Sequence, residues 1–190
     1  MRIFLAVLVL IFSLQSWTKA DGVRDFEIEG MSIGDSALNF FSKEDIKKNS
    51  RNHYKDKTFT VVQNDNYPFF KTYDAVDFHF KTGDKKYIFH NIDGVLFYDD
   101  NVKDCYKKMD SIILNIEQNL NYLKKDSKQE FTHRGDKTGK SKFTQARFSM
   151  VDGYILVICY DYSVEYGGQD HLAVSIDTKE IHDWFLSDIY

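Results

Sequence analysis

Residues 33–40 read IGDSALNF, and Ser36, placed behind Gly-Asp, is the first side chain whose setting suggests a nucleophile. A serine attacks an acyl group only when a base takes its proton and donors hold the oxyanion. Late in the chain, Asp177 and His182 could serve as base and orienter, but five positions separate them. The lead-in FEIEGMSI is interrupted by Glu27, Glu29 and Gly30, and no block of Gly and Asn supplies oxyanion donors. Local structure accounts for the same residues more fully. Gly34 permits a tight turn, Asp35 or Ser36 caps a short helix, and Ala37, Leu38 and Phe41 form its apolar side. Ser42, three before Asp45, offers a second cap. Ser36 is therefore expected to cap a turn, with an exported serine hydrolase using Ser36 as the alternative.

Three further groups invite chemistry. AVDFHFK alternates, with Val76, Phe78 and Phe80 on one face and Asp77, His79 and Lys81 on the other. If a two-residue Gly83-Asp84 loop joins it to KYIFHN, Tyr87 faces Phe80, Phe89 faces Phe78, and His90 falls opposite Asp77 with His79 diagonal to it. Asp77, His79 and His90 then form a weak candidate metal site on an outer sheet face, where such polar pairs are also ordinary. Tyr160, Tyr162 and Tyr166 alternate on the face opposite Cys159 and could stack a sugar or another flat ligand. RGDKTGKS at 134–141 lacks the first glycine of a phosphate loop, since that position is Arg134. A charged connecting loop is expected there, with Arg134, Lys137, Lys140 and Lys142 as its cations. No Cys/His spacing suggests zinc, no complete catalytic set is present, and no cofactor is implied.

The elements that must position these groups begin after residue 20. Arg2, the uncharged run Ile3–Leu14 and Thr18-Lys19-Ala20 have the layout of a signal peptide cleaved near Ala20, and the run is too short to span a bilayer. The formal net charge is −4, and loss of Arg2 and Lys19 makes it two units more negative. Nucleic acid is a poor partner for such a chain. Residues 21–190 suit one domain without a membrane span. Aromatic residues make up 16% of the chain, so its core should be aromatic. The two cysteines, Cys105 and Cys159, are expected to pair in an oxidising compartment.

From about Asn101 to Leu123, apolar residues recur at steps of three and four, the pattern of an amphipathic helix. Asp99, Asp100 and Asn101 are its capping candidates, and Lys124 and Lys125 suit its C-terminus. KFTQARFSM and YILVICYDY flank Val151-Asp152-Gly153. A turn centred on Asp152-Gly153 sets Met150 against Ile155, Phe148 against Val157 and Ala146 against Cys159. Cys159 then faces the core, and a helix laid across that face brings Cys105 to it. HLAVSI adds a strand, and DTKEIHDWF starts a terminal helix with Asp177 and Glu180 at capping-box spacing. The expected fold is α+β: an antiparallel sheet of about five to seven strands, the long helix on one face, and short terminal helices.

DFEIEGMSIGDSALNFFSKEDIKKN, IDGVLFYDDNVKDCYKKMD and DHLAVSIDTKEIHDWF resemble a group of small exported proteins of AT-rich marine alphaproteobacteria. The resemblance implies an envelope location and brings no catalytic residue with it. IEGMSIGDSALNFFS is also similar to the strand–Gly–helix opening of small outer-membrane assembly lipoproteins. The expectation is a non-catalytic periplasmic or secreted binding or protein-interaction domain, its partner an envelope protein or a small ligand. A metal-binding protein at Asp77, His79 and His90 is the further alternative.

Overall fold

The computed structural model describes residues 22–51, 54–65, 67–99, 101–187 and 189. The leader expected over residues 1–20 lies outside them, as do His53 and the capping candidate Asp100. A small hairpin, β1 (Glu27–Ile28) and β2 (Met31–Ser32), precedes helix α1 (Lys43–Asn49). Then follow β3 (Ser50–Arg51), β4 (Phe59–Asp65), β5 (Ala75–Lys81), β6 (Asn91–Phe97) and helix α2 (Val102–Asn119). The chain ends with β7 (Lys124–Lys125), β8 (Gln129–Thr132), β9 (Lys142–Ser149), β10 (Gly153–Asp161), β11 (His171–Thr178) and helix α3 (Lys179–Leu186).

The architecture is α+β, with an antiparallel sheet of nine strands, larger than expected. Its order is β3-β4-β5-β6-β11-β10-β9-β7, and β8 also pairs with β9. Two meanders thus meet where the last strand, β11, pairs with β6. The alternation of each strand divides the sheet into two faces. Val62, Phe78, Ile92, Val174, Val157 and Phe148 point inward into the main core. Against them lies α2, whose Cys105, Met109, Ile112, Ile113 and Ile116 are buried.

Cys105 and Cys159 form a disulfide with Cα atoms 6.0 Å apart, tying α2 to β10. The helix stops four residues earlier than the periodicity suggests, at Asn119, where the Leu120 N–H bonds the Ile116 carbonyl. Lys124 and Lys125 leave the helix and pair with Ser149 and Phe148 on β9. Asn101 stands at the N-cap but makes no side-chain capping bond.

Two expected hairpins close differently. Residues 82–90 form a wide loop, not a two-residue turn, because the Asp84 carboxylate accepts the N–H groups of Lys86 and Ile88 at 2.9 and 3.0 Å. Segment 87–89 pairs with the GDS segment instead: Ala37 N–H donates to the Tyr87 carbonyl, and Phe89 N–H to the Asp35 carbonyl. β5 pairs with β6, so Asp77 faces Asp93, not His90. The ring pairs survive this change, Phe80 with Tyr87 at 5.0 Å and Phe78 with Phe89 at 4.9 Å.

The β9–β10 turn centres one residue earlier than expected, which sets Phe148 against Ile155, Ala146 against Val157 and Thr144 against Cys159. This slip of two in the pairing leaves every side chain on its face. Gly153 explains it: a Cβ there would lie 1.9 Å from the Asp177 carbonyl oxygen, so this glycine serves close strand approach, not a left-handed turn. α3 is capped by Thr178, whose hydroxyl accepts the Ile181 N–H, while Asp177 stays buried in β11.

The disulfide spans 54 residues, which on the chain-entropy account stabilises by about 4 kcal/mol before native strain is subtracted. Replacing both cysteines by alanine should lower the urea midpoint by the equivalent of about 2–4 kcal/mol. Thiol alkylation of the wild type should add mass only after reduction.

Candidate functional site

The outer face of the sheet carries the polar and aromatic residues that the inner face excludes. Cross-strand pairing arranges them in successive rows. Nearest α3 lie His79, Asn91, Asp177 and Tyr154, and next Gln63, Asp77, Asp93 and Ser175. A row of Ala75, Val95, Ala173 and Ile158 follows, all buried. Beyond it Phe97, His171, Tyr160, Phe143 and Phe131 cross five strands.

The aromatic end is extended by the loop after β10. Tyr166, Tyr162, Tyr160 and His171 form a file of near-parallel rings, with successive centroids 5.3, 5.7 and 4.5 Å apart and interplanar angles of 23°, 15° and 25°. His133, 7% exposed, meets all three tyrosines at 5.3–6.2 Å, edge-on to Tyr160 and Tyr162. Burial lowers the His171 pKa, so its ring is neutral at pH 7. Tyr160 and Tyr162 are half-buried, and Tyr166, on the loop and not on the strand, is 41% exposed. A Cβ on Gly168 would lie 2.6 Å from the Tyr162 ring, so glycine lets the loop pack on it.

Asp136 holds this end together. It accepts bonds from the N–H and hydroxyl of Thr138 at 2.8 and 2.7 Å and of Ser141 at 2.9 and 2.6 Å. The Ser163 hydroxyl adds a fifth at 3.1 Å. These donors, Ser141 foremost, hold the carboxyl far below the ordinary range. The aspartate of Arg-Gly-Asp is thus buried in a clasp between residues 133–141 and the loop carrying Tyr162 and Tyr166. Its arginine, Arg134, donates to the carbonyls of Phe185, Leu186 and Ser187, completing the C-terminus of α3. Lys140 pairs with Glu165 and Lys142 with Glu130. Three of the four cations of this loop are therefore engaged.

The polar rows form a connected network. His79 Nδ1 lies 2.7 Å from Asn91 Oδ1, and Asn91 Nδ2 lies 2.7 Å from Asp93 and 2.8 Å from Asp177. His182 of α3 reaches Asp177 at 3.4 Å and Arg147 at 3.1 Å. Arg147 pairs with Asp126 and lies over the Tyr154 ring. Burial raises the Asp93 pKa to about 8, assisted by the charge of Asp177, and raises that of Asp77 to about 7.

The weak candidate metal trio of Asp77, His79 and His90 does not assemble. His79 is not on a wet face: it is 3% exposed and packs edge-on against Phe185 at 5.1 Å. His90 lies before β6 and 3.7 Å from Glu180, which also binds Lys81. Among the described residues no three His, Cys, Asp or Glu are placed to hold a metal ion. Ser36 caps residues 37–39: its hydroxyl accepts the Leu38 N–H at 3.2 Å and donates to the Lys86 carbonyl at 2.6 Å. Asp177 and His182 do meet, but within the seam network. An interior cavity of about 20 Å³ beside Phe26, Tyr73 and Ile116 has room for a water molecule and no larger ligand.

His133, Asp136 and His171 escape a reading by local motif because strand pairing and a loop clasp bring them to the tyrosines. Asn91, Asp93, Ser175 and Asp177 did carry a signal: polar residues two apart on otherwise apolar strands, the pattern of one sheet face. Among the described residues no helix is long and apolar enough to cross a membrane. No protein-family model, curated protein or solved structure matches the chain.

Asp136 stabilises the fold above the ordinary aspartate pKa of about 3.9, because its folded pKa lies lower, and that contribution fades as pH falls. Asp136→Asn should therefore lower the melting temperature at pH 7, and the gap to wild type should narrow below about pH 4. A fluorophosphonate probe should leave Ser36 unmodified, since its proton is already donated to a carbonyl. An adduct at Ser36 in a peptide map would restore the serine as a nucleophile.

Proposed function

We propose that the protein is a non-catalytic binding domain of the bacterial envelope, exported with cleavage near Ala20, whose ligand surface is the aromatic end of the outer sheet face. The observation that carries this reading is the ring file Tyr166–Tyr162–Tyr160–His171 with His133 wedged against it. The side chains are already ordered, so a ligand meets a surface whose rotamer entropy has been spent during folding. The exposed end of the file, at Tyr166, offers an aromatic face for a flat partner to extend the stack. Asp170, which accepts the Tyr162 N–H at 2.8 Å and acts on His171, borders the file, which disfavours anions. Neutral sugars and other uncharged planar rings suit it best. The disulfide supports an oxidising compartment.

Titration with a panel of neutral oligosaccharides, followed by NMR shifts of the tyrosine rings, tests this. Binding should perturb Tyr162 and Tyr166 first. Tyr166→Ala should weaken it roughly two- to tenfold, the worth of one aromatic contact. Shifts confined to other surfaces, or an affinity unchanged in the variant, would remove the reading.

A further inference from the structure

Where β6 meets β11, hydrogen-bond contacts outnumber the protons that ordinary ionisation supplies. Asn91 Nδ2 contacts Asp93 Oδ1, Asp177 Oδ1 and Ser175 Oγ, and Ser175 Oγ contacts the same two carboxylate oxygens. The amide has two protons and the hydroxyl one. Each amide proton can be shared between acceptors, but with both carboxyls ionised the single hydroxyl proton serves only one of the two Ser175–carboxylate contacts, and the other brings lone pairs together in a buried setting. One added proton resolves this, and the surrounding bonds say where it resides. Asp177 accepts from Asn91, Ser175 and His182, whose Nδ1 carries its proton because Nε2 accepts from Arg147. Asp93 is left with Asn91 alone as a donor, and Ser175 Oγ has a lone pair facing it.

We propose that Asp93 is kept as a neutral carboxylic acid that donates to Ser175 Oγ, and that loss of this proton loosens α3 from the sheet. The groups facing Asp93 make the second step physical. Asp77 lies opposite on β5, tied to Gln63 of β4. Asp177 lies diagonally on β11, and Arg147 of β9 is shared between His182 and Asp126. Ionised Asp93 adds a second charge beside Asp177, the residue on which α3 rests through His182, and among the described residues no unshared cation faces it. The raised Asp93 pKa of about 8, caused first by burial and then by Asp177, agrees with this assignment.

α3 in turn receives Arg134 at its C-terminal carbonyls, and the preceding residue, His133, wedges the tyrosine file. Loosening of α3 therefore reaches the aromatic end. That last step rests on the binding reading above, whereas the proton site stands on the seam alone.

Two measurements on the full chain without ligand test the proposal. Difference infrared spectroscopy from pH 5 to 10 should show a protonated-carboxyl carbonyl band that is lost with a midpoint near pH 8. The component with its midpoint near pH 8 should persist in Asp77→Asn and be missing in Asp93→Asn, where only the lower component of Asp77, near pH 7, remains. Over the same pH range, hydrogen exchange of α3 amides, corrected for intrinsic rates, should rise about tenfold in wild type, the equivalent of one pKa unit. Exchange should stay flat in Asp93→Asn. Absence of the band, or α3 exchange that does not follow its midpoint in wild type, would overturn the proposal whether or not any variant folds.

Discussion

The pairing of β6 with β11 is the constraint on which the rest of the molecule depends. It joins a meander built from residues 50–97 to one built from residues 142–178, and so makes one sheet from two. The inner side of the seam is apolar, with Ile92 against Ile176 and Leu96 against Leu172. Its outer side pairs Asn91 with Asp177 and Asp93 with Ser175. Apolar packing alone would tolerate a slip of two residues, as the β9–β10 turn illustrates. The polar pairs do not, because a slip would strand buried carboxyls without their donors. The network thus specifies register while the core supplies the driving force.

Helices α2 and α3 complete the sheet in different ways. α2 covers the inner face with a continuous apolar stripe, and the disulfide fixes it to β10. α3 covers only one end of the outer face, where Ile181 and Trp184 pack with Tyr54, Phe59 and Val61. Trp184 also donates to Asp56 at 2.9 Å. The far end of the outer face is left to large aromatic side chains that shield one another, and these form the candidate ligand surface.

Much of this was legible in the sequence because it depends on local period. The helix stripe from Val102, the alternation of Val76, Phe78 and Phe80, and the core-facing Cys159 follow from spacing alone, and the disulfide follows from those faces meeting. The turn at Ser36 was legible for the same reason. Features that depend on distant backbone were not. Asp84 takes two N–H groups, which frees segment 87–89 to pair with residues 34–37. That choice moved His90 away from Asp77 and dissolved the candidate metal trio. The wet face assumed for His79 was wrong because α3 folds back over it. Of the aromatic site, the tyrosines were readable from alternation, while His133 and Asp136 depend on a clasp between two loops.

The order of the strands also bears on when the protein can become itself. Made from its N-terminus, the chain completes β6 some eighty residues before β11, so the middle of the sheet begins as a bare edge. Cys105 likewise waits for Cys159. Such late, long-range closure slows folding. It leaves the emerging polypeptide threadable until almost its last turn has been synthesised, a useful property for any chain that must pass through a narrow channel before it locks.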